Sequence, residues 1–194
     1  MCQSLVSYKY CHIYLYFITT KTIHLLPYSV FQKYLIMTVL NIEFEVTSSL
    51  PAPKIFKLFS EFDTIAPKVE PETYKSIDII QGNGGVGTIK SITYTDGVPF
   101  TSSKHKVDTI DTNNFSYSYT IFEGDVLMGI IDSATHHIKF VPSTDGGAIY
   151  KHIVVFNLKG NNKLPEDNIN LIKDALKKSF KGFESYAIAH PESY

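Results

Sequence analysis

The chain is 194 residues long, with 44% hydrophobic residues, 19% charged residues and a formal net charge of −1. This excludes a wholly disordered chain, a collagen and a coiled coil, and the length fits one domain with an extension better than two full domains. All 18 basic residues are lysine, with no Arg and no Trp, so the basic surplus and guanidinium forks of nucleic-acid readers are missing.

Residues 1–37 differ from the rest. They hold no Asp or Glu, both cysteines (Cys2 and Cys11) and 6 of the 13 tyrosines, while every glycine lies at Gly82 or later. The apolar run Ile13–Ile18 is too short to span a bilayer, and no cleavage-site pattern follows it. Residues 1–37 are therefore expected to be an N-terminal extension, disordered or outside the native product, with residues 38–194 as the folded domain. Met37 stands directly before that domain, and initiation there would give a product of 158 residues. With both cysteines in the extension, the domain has no disulfide, which suits a reducing cytosol.

The domain opens with Val39–Val46, where Leu40, Ile42, Phe44 and Val46 alternate with polar residues in the period of a half-buried strand. Thr47-Ser-Ser49 and Pro51 carry helix-start chemistry. A short helix bearing Ile55, Phe56, Leu58 and Phe59 follows. A second short helix over Phe62–Ala66 is expected to stop at Pro67. Ile77, Ile79 and Ile80 mark a strand running into Gly82. Turn signals at Asp96-Gly97, Asn113-Asn114, Glu123-Gly124 and Asp145-Gly-Gly147 then punctuate an antiparallel meander. The clearest strand within it is Phe115–Ile121, with Phe115, Tyr117, Tyr119 and Ile121 on one face and Ser116, Ser118 and Thr120 on the other. Lys104-His-Lys106 is expected on a solvated edge, one member near a cavity mouth. Ile130–Val141 and Ala148–Leu158 are further strands. The apolar period changes after Asn162. Ile169, Ile172, Leu176, Phe180, Phe183 and Ala187 line one face of a helix from 165 to about 189, ~37 Å long, opened by Pro165 and acids and ended by Pro191. One long helix covers seven strands only if the sheet curves around it, and that curvature leaves a space between them.

Gln81-Gly-Asn-Gly-Gly-Val-Gly-Thr-Ile-Lys90 is the most distinctive segment. Its glycines Gly82, Gly84, Gly85 and Gly87 invite comparison with a phosphate loop. However, Gly87 is followed by Thr88-Ile89 rather than Lys and Ser/Thr, and the loop enters a strand rather than a helix, so the P-loop and dinucleotide fingerprints both fail. A tight loop that uses glycine for positive φ is the reading that remains.

This loop resembles the glycine-rich loop of the plant pathogenesis-related class-ten proteins, relatives of the birch pollen major allergen. The resemblance extends over residues 38–194 through Ala66-Pro-Lys-Val69, Asp96-Gly-Val-Pro-Phe100, Phe115-Ser-Tyr-Ser-Tyr119, Glu123-Gly124, Asp145-Gly-Gly147 and Glu184-Ser-Tyr-Ala-Ile-Ala-His190. It implies an α+β helix-grip fold of the START-like kind: a seven-stranded curved antiparallel sheet gripping a long C-terminal helix, with two short helices after the first strand. It also implies an internal cavity for hydrophobic plant metabolites, and its usual start coincides with Met37. The family commonly carries Glu before the loop glycine, where this chain has Gln81. Residues 1–36 have no counterpart.

An inward tyrosine needs a hydroxyl partner. Tyr117 and Tyr119 therefore fit either a pocket with a few polar handles or a filled core in which neighbours satisfy them. The resemblance implicates Lys90, Tyr117 and Tyr119 in ligand contact, and places His136 where the family often has Asn. Phe59, Phe100, Phe140, Phe180 and Phe183 are the expected apolar walls; Phe180 and Phe183 also read as ordinary helix-face core. His136 and His137 point to opposite strand faces and cannot chelate one metal together. No metal and no cofactor are expected.

The function expected is binding of a hydrophobic small molecule by an intracellular, defence-related, allergen-like protein. The ligand would be a flavonoid, cytokinin, brassinosteroid or abscisic-acid-like hormone. The protein would be a cytoplasmic (or also nuclear) monomer without membrane or nucleic-acid partners. The alternative from the family is a ribonuclease using Lys90, Asp132, Glu184 and Tyr186, but the missing arginine and near-neutral charge fit RNA poorly. Related folds catalyse Pictet–Spengler condensation or alkaloid isomerisation, and no lysine–acid–tyrosine set here singles that chemistry out. A hormone-receptor role with phosphatase inhibition lacks its gate motifs, one of which requires arginine.

Overall fold

The computed structural model describes residues 38–194. The expected extension over 1–37, with Cys2, Cys11 and Met37, lies outside the described residues.

Seven antiparallel strands form one curved sheet: β1 (Thr38–Ser48), β2 (Tyr74–Gln81), β3 (Ile89–Tyr94), β4 (Ser102–Asp111), β5 (Ser116–Gly124), β6 (Ile131–Pro142) and β7 (Ala148–Leu158). Their order is β1-β7-β6-β5-β4-β3-β2. Two short helices, α1 (Ala52–Ser60) and α2 (Phe62–Val69), follow β1, and the long α3 (Glu166–Ala189) follows β7. This is the helix-grip architecture expected from the sequence.

Alternation decides which residues of each strand face the helix. In β1, Ile42 and Phe44 are buried while Glu43 and Glu45 are exposed; in β6, Ala134, His136, Ile138 and Phe140 are buried while His137 and Lys139 are exposed. Helix α3 buries Phe180, Phe183, Glu184 and Ala187. The core has two clusters. One, under α1 and α2, includes Ile55, Leu58, Phe140, Phe180 and Phe183. The other, toward the far end of the sheet, includes Ile121, Ile131, Val154, Phe156 and Leu158. Tyr119 and Leu176 pack against both.

Three local details differ from the sequence reading. Helix α2 continues through Pro67 to Val69. The proline falls in its last turn, where few hydrogen bonds remain to be lost, and Glu70 N–H still donates to the Ala66 carbonyl at 2.9 Å. Phe115 is outside β5, at φ 50°. The Asp111 carboxylate accepts from the Asn113 and Asn114 amides at 3.0 and 3.1 Å, and this turn delays the strand by one residue. The Phe115 ring still packs on Phe56, with 5.9 Å between centroids. Ser118 is buried rather than solvent-facing, and shares a 2.6 Å hydrogen bond with Thr109.

Candidate ligand pocket

Between the concave sheet face and α3 lies a pocket of about 250 Å³. Phe59 and Ser60 of α1, Phe62 and Asp63 of α2, and Leu176, Ser179 and Phe180 of α3 form its helical side. Strands β2 to β7 supply the rest, from Tyr74 and Ile77 through Lys90 and Ile92 to Tyr150 and His152.

Of the residues expected to touch a ligand, Lys90, Tyr117, Tyr119, Phe59 and Phe180 line this pocket, as does Gly84 of the glycine loop. The other four do not. Phe140 and Phe183 are fully buried behind Phe59, whose ring lies 5.1 and 5.6 Å from theirs. Phe100 packs edge-on against Tyr94 at 6.2 Å. His136 faces inward, but its ring is covered by Tyr119, stacked 4.6 Å away at 7°.

The Lys90 ammonium is bound to the Asp63 carboxylate at 2.8 Å, joining β3 to α2. Among the described residues, these are the only Lys, Asp or Glu side chains that line the pocket, and they are paired with each other.

The glycine loop has no amides free for an anion at four of its positions. Gly84 N–H donates to Thr88 Oγ1 at 2.9 Å, Gly85 N–H to Asn83 Oδ1 at 3.2 Å, Gly87 N–H to the Val107 carbonyl at 2.8 Å, and Thr88 N–H to the Gly85 carbonyl at 3.1 Å. Gly82, Gly84 and Gly87 take positive φ. At Gly82 a Cβ would come within 2.8 Å of the Thr88 Cα.

Sequence reasoning named His136, and put one member of Lys104-His-Lys106 near a cavity mouth, but did not single out His105 or His152. Lys104-His-Lys106 does not form a solvated edge, because β4 lies inside the sheet between β3 and β5. Alternation exposes Lys106 and turns His105 into the pocket. The His105 ring stacks on Tyr119 at 5.2 Å and 9°, so Tyr119 is held between His105 and His136. Two hydrogen-bond chains flank this stack. Tyr94 Oη meets Ser103 Oγ at 2.9 Å, which meets His105 Nε2 at 2.8 Å. Tyr150 Oη meets His152 Nδ1 at 2.6 Å, and His152 Nε2 meets His136 Nδ1 at 2.9 Å. Burial pushes the His105 and His136 pKa values down to about 3, with neighbouring positive charge adding to the shift, and holds His152 well below the ordinary histidine range. All three are neutral at physiological pH. Burial likewise raises the Tyr117 and Tyr119 hydroxyls, so both stay protonated.

The four residues of the ribonuclease alternative have separate surroundings, and only Lys90 lines the pocket. Asp132 is exposed on β6. Tyr186 stacks on His190 at 4.1 Å. Glu184 anchors the β1–α1 turn. Its Oε1 accepts from Ser49 N–H at 2.8 Å, and its Oε2 from Lys181 Nζ at 2.6 Å. Burial acts to raise its pKa, but Lys181 and the Ser48 and Ser49 donors outweigh burial and hold it below the usual carboxylate range.

With this fold and site in view, the match to known proteins is direct. The model of the pathogenesis-related protein Bet v 1 family matches residues 37–190. The chain belongs to the Bet v 1 family. Among its Bet v 1 relatives is a root allergen protein of Taraxacum officinale, 70% identical over 152 residues, covering 78% of this chain and 97% of that protein. Ribonuclease 2 of Panax ginseng is 45% identical over 152 residues, covering 76% and 97%. Among solved structures, Ara h 8.0201 superposes with a TM-score of 0.71 at 34% identity, covering 78% of this chain and 99% of that one. Pathogenesis-related proteins and allergens thus surround this chain in sequence. Among the described residues, no helix is long and apolar enough to cross a membrane.

Proposed function

We propose that this Bet v 1 family member binds a hydrophobic small molecule, a plant metabolite or hormone, in the pocket between sheet and α3, and acts as an intracellular, defence-related ligand carrier. The observation that carries this reading is the composition of the wall. Aromatic rings from α1, α2, β5 and α3 converge on one space that also presents polar groups, among them the Tyr117 and Tyr119 hydroxyls, His105, His152 and the Lys90–Asp63 pair. Apolar walls with few, placed polar groups are the general form of a small-molecule site. Titration by fluorescence and calorimetry with flavonoids, cytokinins, brassinosteroids and abscisic acid tests it. Micromolar binding weakened by Tyr117→Phe or Lys90→Ala is expected. Absence of binding across the panel counts against it.

A second reading, ribonuclease activity, draws support from the relative named Ribonuclease 2. Purified protein that cleaves RNA, and loses cleavage without loss of fold on Glu184→Ala, would favour it. Initiation at Met37 belongs to the same proposal. Native mass spectrometry of protein from its own tissue reads both the start residue and any carried ligand; peptides from residues 1–36 would overturn that start.

A further inference from the structure

We propose that Asn83 is a site of self-modification: its side chain converts spontaneously to aspartate and isoaspartate through attack by the Gly84 backbone nitrogen, which sets a new carboxylate into the glycine loop. Asn83 is followed by glycine, whereas every other asparagine of the chain precedes a residue with a side chain. Residues 81–84 are exposed, so water and solvent base reach this peptide. A Cβ built on Gly84 meets nothing within 4 Å, so no other part of the fold crowds the attacking residue. Asn83 Oδ1 accepts from Gly85 N–H at 3.2 Å. That bond folds the side-chain amide back over the peptide that follows it, and it aims a donor at the oxygen on which charge develops during attack.

The chemistry needs only water. Gly84 N attacks Asn83 Cγ and closes a five-membered ring, a reaction between groups already held together. The amide proton passes to solvent base, the bond from Cγ to the side-chain nitrogen breaks, and ammonia leaves a succinimide. Water then adds to one of the two ring carbonyls. Opening on one side gives aspartate; opening on the other gives isoaspartate, whose main chain runs through the former side-chain carbon. One neutral hydrogen bond restrains the nucleophile, from Gly84 N–H to Thr88 Oγ1 at 2.9 Å. The exposed Asn113 is held more firmly. The amide that would attack it, Asn114 N–H, donates to the Asp111 carboxylate at 3.1 Å, a charge-assisted bond. Conversion at Asn83 falls where it matters to the loop. Gly84 lines the pocket, and the amides of Gly84 and Gly87 tie the loop to Thr88 and to Val107 of β4. An extra main-chain atom at position 83 pulls these bonds out of register.

The test incubates the full chain, folded, at mildly alkaline pH for several weeks and weighs its peptides at intervals. The peptide carrying residue 83 is expected to gain one dalton before any other asparagine-bearing peptide does. Methyl transfer from S-adenosylmethionine by an isoaspartyl methyltransferase should count the isoaspartate share. Gly84→Ala should slow the gain several-fold, and Asn83→Gln should remove it. The isoaspartyl form, separated by anion exchange, should melt below the unconverted protein. If residue 83 gains no mass in the folded chain, whether or not it does so in urea, the proposal is overturned. The same holds if another asparagine converts first, or if Gly84→Ala leaves the rate unchanged. Equal melting temperatures of the two forms would overturn the effect on the loop.

Discussion

His136 Nδ1 and His152 Nε2 face each other at 2.9 Å inside the sheet's concave side. One must donate and the other accept, so at least one of the two imidazoles must be neutral for the bond to persist, and two imidazoliums would set donor against donor. Tyr150 Oη fixes the far nitrogen of His152 at 2.6 Å, and Tyr119 covers the His136 face. Burial disfavours a proton on either ring, and the neutral pair satisfies both facing nitrogens.

Acid stability follows. In the unfolded chain these histidines and His105 titrate near the ordinary histidine pKa, whereas in the fold they stay neutral down to much lower pH. Below that ordinary value the unfolded state binds more protons, so stability falls as pH falls. Each neutral-locked histidine contributes up to about 1.4 kcal/mol per pH unit between ~6.5 and its folded pKa. The melting temperature should drop steeply from pH 6.5 to 4.5. His136→Asn, which cannot take a proton, should flatten that slope; an unchanged slope would refute the assignment.

The Lys90–Asp63 pair ties β3 to α2 beside the pocket. Both partners are partly exposed, at 15% and 25%, so Lys90→Met should change stability by less than about 1 kcal/mol. Its larger effect should be kinetic. Stopped-flow release of a bound fluorescent probe should quicken several-fold, and high salt should move the wild-type rate in the same direction. Equal release rates would mean the pair does not restrain the pocket.

Glu184 is a structural carboxylate in this geometry. Glu184→Gln loses the charge facing Lys181 and leaves one oxygen for two donors, so its amide NH2 faces either Ser49 N–H or Lys181, and it should cost roughly 1–3 kcal/mol in urea unfolding. A loss under 0.5 kcal/mol, on the order of a surface substitution, would remove it from the list of anchors.

In the glycine loop, Gly82 and Gly84 separate strain from crowding. Both have positive φ, but a Cβ at Gly84 meets nothing within 4 Å, whereas at Gly82 it meets Thr88 backbone at 2.8 Å. Gly84→Ala should cost about 1 kcal/mol from conformation alone, and Gly82→Ala clearly more. Thermal denaturation of the two variants decides it, and equal losses would contradict the close approach.

The periodicities of this sequence determine its elements, because alternation at 2 and 3.6 residues is a local property. The strand Ala148–Leu158 and the long helix were legible almost to the residue, and the Tyr117–Tyr119 face was correctly aimed. The exceptions were local competitions: the Asp111-centred turn that holds Phe115 out of its strand, and the short helix that tolerates Pro67 in its last turn. Only the tertiary structure decided which inward residues reach open space, because that depends on what packs in front of them. Phe59 screens Phe140 and Phe183, and Tyr119 screens His136. A strand's position in the sheet is equally non-local. Lys104-His-Lys106 reads as a charged edge until β3 and β5 close on both sides and leave His105 facing the pocket. The sequence alone therefore settled the family and the fold, and strand order and screening settled the chemistry of the pocket wall.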